Sequence, residues 1–199
     1  METIGVDTIK KWSYKNCAQN DPNRRGHQTA YICFWIDTNN SSWWKLYLNL
    51  KTTNLSDSPF VISEGYHTYF YISDIENIKV NGLEDSVYTD KADNFSRGIE
   101  ENSISFSNEF DRAYTNTSND CYIEDENFNR VITIKKSNSN STVVWTPWQE
   151  KALEMGDMGE EDEWRRMICV ETANILENSV VIYPKMSHSI ATEYSVQEY

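Results

Sequence analysis

The sequence lacks an excess of positive charge: 18 Lys and Arg stand against 31 Asp and Glu, a formal charge of −13 over 199 residues. A duplex nucleic-acid binder needs a basic footprint to displace counterions, so nucleic acid is excluded as a partner. Long hydrophobic runs are missing too. The longest, Tyr31 to Ile36, falls far short of the ~20 residues that cross a bilayer as a helix. The opening stretch METIGVDTIKKW has no apolar centre of a secretory signal. The expectation is a cytoplasmic protein with no membrane partner.

Cysteine is sparse and scattered. Cys17, Cys33, Cys121 and Cys169 form no C-x-x-C pair and have no His at zinc spacing, so reduced thiols and no metal are expected. No glycine-rich phosphate loop occurs, and no serine nucleophile with a base beside it. Histidine is limited to His27, His67 and His188.

Aromatic residues, in contrast, make up 13% of the chain and include seven Trp, ample material for a packed core. The patterning is that of strands. Residues 30–36 are an apolar run bounded by turn residues. In 43–52, Trp44, Leu46, Leu48 and Leu50 alternate with polar positions, the period of a half-buried strand. Further strands are predicted over 61–72, 74–80, 103–106, 121–123, 131–134, 143–145, 180–183 and 190–196. Asn81-Gly82 marks a turn. Residues 148–164 depart from this pattern, with helix formers up to Met155 and then Gly156, Gly159 and an acidic run. They read as a short helical turn and a loop. Many short strands with frequent turn signals predict an all-β sandwich or barrel, with 1–199 as a single domain.

Few side chains are candidates for chemistry. His27 and His188 sit among polar turn residues and read as solvated. His67 lies within Tyr66-His67-Thr68-Tyr69-Phe70-Tyr71, where an imidazole with an ordinary pKa of about 6.5 can serve as an acid near neutrality. Glu171 closes the apolar run Met167-Ile168-Cys169-Val170. A carboxylate there is expensive unless paired or functional. Asp111-Arg112 reads as a surface ion pair or as part of a site. On the residues alone, His67 and Glu171 form a candidate acid–base pair.

The same residues carry a resemblance. Glu64-Gly65-Tyr66-His67-Thr68-Tyr69-Phe70, then Asp111-Arg112-Ala113-Tyr114, Val143-Val144-Trp145-Thr146-Pro147-Trp148 and Met167-Ile168-Cys169-Val170-Glu171 resemble, in order and spacing, the hexose-6-phosphate mutarotases (glucose-6-phosphate 1-epimerases) of the aldose 1-epimerase superfamily. The resemblance implies a large antiparallel β-sandwich of the galactose-mutarotase type. It implies an isomerase that interconverts the α and β anomers of glucose 6-phosphate with no cofactor. His67 would be the general acid on the ring oxygen, Glu171 the general base on the C1 hydroxyl, and Asp111 a binder of sugar hydroxyls. Trp148 would be a further candidate for the sugar face.

The pattern also departs from that family. Ile4 and Thr8 stand where its early His and Arg fall relative to Gly5 and Trp12, and its basic phosphate-holding segment has no counterpart. The chain therefore reads as the later two-thirds of the family fold, truncated at its N-terminus and shortened between Ile36 and Leu46. A hexose phosphate must then be held locally against a charge of −13, with Arg24 and Arg25 as candidates. The alternative function is a catalytically impaired carbohydrate-binding module or a truncated product of that family. Exposed sheet edges predict poor solubility or a homo-oligomer.

Overall fold

The structure, a computed structural model, describes residues 12–14, 28–40, 43–156 and 162–198. Gly5, Thr8, Arg24, Arg25 and His27 lie outside them. In chain order the first strands are β1 (Trp12–Tyr14), β2 (Gln28–Asn40), β3 (Trp43–Asn54), β4 (Phe60–Ile62), β5 (Glu64–Gly65), β6 (Tyr69–Tyr71) and β7 (Ile78–Asn81). Next come β8 (Val87–Asp90), β9 (Ser96–Ile99), β10 (Phe110–Thr115), β11 (Cys121–Asp125), β12 (Arg130–Ser137) and β13 (Ser141–Thr146). Helix α1 (Trp148–Met155) precedes β14 (Met167–Asn174), β15 (Val180–Ile182) and β16 (Ser187–Glu198).

Among the described residues every strand pairing is antiparallel. One sheet runs β1-β2-β3-β16-β12-β11-β7, and the other runs β5-β14-β13-β10-β8-β9 with β6 also on β14. A small pair, β4–β15, lies apart. The core fills the space between the large sheets. Val80, Ile123, Ile132, Ile134 and Tyr194 of the first meet Phe110, Tyr114, Val144, Ile168 and Val170 of the second, with Leu46 and Leu48 packed at its margin. The expected β-sandwich is the observed one, and the alternation of β3 turns its leucines inward. Strands of period two cover one face with apolar side chains, and only a second sheet can bury that face.

Three expected strands take another form. Residues 61–72 divide into β4, β5 and β6, because a tight turn, in which Thr68 N–H donates to the Tyr66 carbonyl at 2.9 Å, interrupts the ladder. Residues 74–80 begin with a single 3₁₀ turn before β7. The Asp74 side chain accepts from Glu76 N–H at 3.0 Å, a local capping bond that competes with strand pairing. Residues 103–106 contribute one bridge, Ile104 to Val80. Helix α1 is the expected helical turn, and it stops at Gly156 in the left-handed region, φ +69°.

Gly82 occupies φ +96°, and a Cβ there would meet the Asp120 carbonyl oxygen at 2.1 Å. Both the conformation and the contact demand glycine. Gly82→Ala is therefore expected to lower the unfolding free energy by at least about 1–2 kcal/mol, measured by urea denaturation. A variant as stable as the parent would contradict this account of the turn. Among the described residues no helix is long and apolar enough to cross a membrane.

Candidate functional site

The site is built on the face of the second sheet that turns away from the core. Phe110, Tyr114, Val144, Ile168 and Val170 point into the core. By alternation Asp111, Val143, Trp145, Cys169 and Glu171 share the other face. The ladder sets them in rows. Asp111 pairs with Trp145, Trp145 with Cys169, and Cys169 with Tyr69, while Val143 pairs with Glu171 in the next row.

The break between β5 and β6 places His67. Both short strands lie on β14 in one continuous register, through Gly65–Ala173, Cys169–Tyr69 and Met167–Tyr71. That register sets residue 67 directly across from Glu171. Its neighbours are pinned inward. Tyr66 donates through its hydroxyl to the Ile190 carbonyl at 3.1 Å, and the Thr68 and Tyr194 hydroxyls lie 2.7 Å apart. With residues 66 and 68 bonded to β16 of the opposite sheet, His67 projects outward. Thr172 likewise donates to Thr192 at 3.1 Å, tying β14 to the other sheet next to Glu171.

The two groups meet. His67 Nδ1 lies 3.3 Å from Glu171 Oε1 and 3.5 Å from Cys169 Sγ. The His67 ring stacks on Tyr69 at 4.8 Å between centroids and meets Trp145 edge-on at 5.8 Å. The His67 side chain is 55% exposed and that of Glu171 13%, so an outside molecule reaches the imidazole first. Burial pushes the Glu171 carboxyl up from 4.5 to about 7. The Lys91 ammonium opposes this rise and the Asp111 carboxylate adds to it. Burial, with the Glu171 charge beside it, also drives the Cys169 thiol far upward.

Asp111 belongs to the same face. Its Oδ1 lies 3.2 Å from Lys91 Nζ, yet this buried oxygen accepts no hydrogen bond. The expected ion pair with Arg112 is not formed, because adjacent strand residues point to opposite faces. Arg112 instead turns to the inner face, donating to Asp90 and Glu100 at 2.8 Å each and lying over the Tyr88 ring. Trp148 is likewise elsewhere. Its ring packs on Trp164, with centroids 4.9 Å apart, and it lines a cleft of about 740 Å³ with Asp90, Arg112 and Lys151, not the His67 face. Trp145 is the tryptophan beside His67. Cys169, Lys91, Tyr69 and Trp145 are site residues that sequence reasoning missed. The strand alternation 167–169–171 was the one available signal, and it pointed to Cys169.

His188 is not solvated as expected. It lies within β16, and its Nε2 sits 2.9 Å from Glu64 Oε1, with side chains 22% and 5% exposed. The pair bridges the two sheets, and the strand simply begins earlier than its polar residues suggested.

The antiparallel sandwich thus holds an imidazole across a strand pair from a carboxylate. The chain belongs to the aldose 1-epimerase family, whose model matches residues 41–195. It is 34% identical over 136 residues to the "Putative glucose-6-phosphate 1-epimerase" of Cenchrus ciliaris, covering 68% of this chain and 41% of that protein. It is 32% identical over 134 residues to the protein of the same name from Escherichia coli K12, covering 67% and 45%. The chain thus spans less than half the length of the curated relatives it matches. Among solved structures, the "putative mutarotase" YeaD of Salmonella typhimurium superposes with a TM-score of 0.68 at 20% identity, over 87% of this chain and 64% of that one. The galactose-mutarotase type of β-sandwich is shared.

Proposed function

We propose that the protein is a hexose-6-phosphate 1-epimerase that interconverts the α and β anomers of glucose 6-phosphate. The observation that carries this reading is the His67–Glu171 pair, an imidazole and a carboxyl 3.3 Å apart with the carboxyl raised to about 7. Glu171 takes the proton of the C1 hydroxyl while His67 delivers one to the ring oxygen. The C1–O5 bond breaks and the open-chain aldehyde forms. Rotation about C1–C2 presents the other carbonyl face. On reclosure the C5 oxygen attacks C1, His67 recovers its proton and Glu171 returns its own. A base whose conjugate acid has a pKa near the working pH combines availability with driving force. Asp111, on the same face and paired with Lys91 at 3.2 Å, receives sugar hydroxyls. Lys91 at its side supplies a positive charge for an anionic substrate.

The test is to mix the purified chain with freshly dissolved α-glucose 6-phosphate and to follow anomerisation by polarimetry or NMR exchange. Acceleration over the spontaneous rate is expected. A rate equal to the spontaneous one overturns the reading, and sugar binding without turnover replaces it with a carbohydrate-binding module. Asp111→Asn is expected to lower kcat/KM about 10–100-fold, the worth of one hydrogen bond to a charged group, chiefly through KM. An unchanged KM would remove Asp111 from sugar binding.

A further inference from the structure

One donor atom each from His67, Cys169 and Glu171 lies within 4.8 Å of the other two. They come from two segments a hundred residues apart in sequence, joined by the pairing of β5 and β6 with β14. The Nδ1–Oε1 separation is 3.3 Å and the Nδ1–Sγ separation 3.5 Å. A tetrahedral ion with bonds of about 2.0–2.1 Å to nitrogen and oxygen and about 2.3 Å to sulfur sets its donors about 3.3–3.6 Å apart. Two edges of that tetrahedron are therefore already present. The third, between the thiol and a carboxylate oxygen, is no longer than 4.8 Å.

We propose that His67, Cys169 and Glu171 form a binding site for a zinc-class divalent cation, with the fourth position open to solvent. One imidazole, one thiolate and one carboxylate suit a borderline-soft ion and disfavour Mg²⁺ and Ca²⁺, which require oxygen donors. The His67 side chain is 55% exposed and Cys169 is fully buried, so the ion enters at the imidazole. Coordination displaces the thiol proton to water. The ion occupies the lone pair that Glu171 uses as a base and so excludes the sugar. That exclusion rests on the proposed epimerase reading, whereas the metal site does not.

The experiment is a Co²⁺ titration of the reduced 199-residue chain, read by absorption. One equivalent is expected to give the visible bands of a four-coordinate ion and a thiolate-to-cobalt charge-transfer band in the near ultraviolet, both erased by Zn²⁺. Cys169→Ser is expected to lose the charge-transfer band and to weaken binding by more than the roughly 10–100-fold typical of residues that only support a ligand. His67→Ala, a change at a half-exposed side chain that leaves the core intact, is expected to weaken it as well. Absence of the band in the parent chain, or its persistence in Cys169→Ser, overturns the site. A chain that shows the spectrum without epimerisation keeps the metal site and loses only the enzymatic reading. One that epimerises without the spectrum loses only the metal site.

Discussion

Glu171→Gln and His67→Ala are each expected to cut the catalysed anomerisation rate about 10²- to 10⁴-fold, the usual worth of a positioned proton-transfer group. The effect falls on kcat. Gln keeps the shape and can still hydrogen-bond the C1 hydroxyl, but it cannot accept its proton. Ala at position 67 removes the donor to the ring oxygen from a side chain that is 55% exposed, so the fold is not at stake. The double variant is expected to be little worse than the poorer single one, because acid and base act in one step and lose their value together. NMR exchange at saturating glucose 6-phosphate separates kcat from KM. A Glu171→Gln chain that retains the parent rate would remove Glu171 as the base. Two single losses that multiply would mean that the groups act in separate steps.

The second large effect concerns stability and has the opposite sign. The Glu171 carboxyl rises from 4.5 in the unfolded chain to about 7 in the folded one, because ionising it beneath the site face forfeits hydration. Between those values the folded state binds more protons than the unfolded state. Stability therefore falls as pH rises from about 4.5 to about 7, and levels off above. The span corresponds to roughly 3 kcal/mol at 1.36 kcal/mol per unit. Glu171→Gln carries no such charge. It is expected to match the parent near pH 4.5 and to exceed it by an amount of that order at pH 8, while losing activity. Denaturant melts of both chains across this range check the prediction. A difference independent of pH would show that Glu171 ionises freely in the folded state.

The two predictions together describe a group kept at the expense of stability, and such a group is visible in sequence only as an anomaly. Glu171 stood out because a carboxylate follows four apolar residues. His67 stood out because it is the one histidine among aromatics. Neither position reveals the other. Thr172, Ala173 and Asn174 continue the strand past Glu171, where Thr172 is bonded to Thr192 of the opposite sheet. Asp111 and Arg112 looked like partners because they are adjacent, and the strand geometry separates them. His188 looked like a turn residue until Glu64 from another strand supplied its partner.

By itself the sequence determined an all-β sandwich or barrel, the inward leucines of β3 and the short helix stopped at Gly156. Each follows from spacing within a few residues, where strand and helix periods are set. Motif order extended this to the aldose 1-epimerase family. Only the tertiary structure decided what surrounds the site: that Trp145 and not Trp148 faces His67, that Lys91 stands by Asp111, and that Cys169 joins His67 and Glu171 in one donor set. Those contacts depend on register between strands far apart in the chain. A shift of one residue would turn every such side chain to the other face, and nothing local to any one strand fixes that choice.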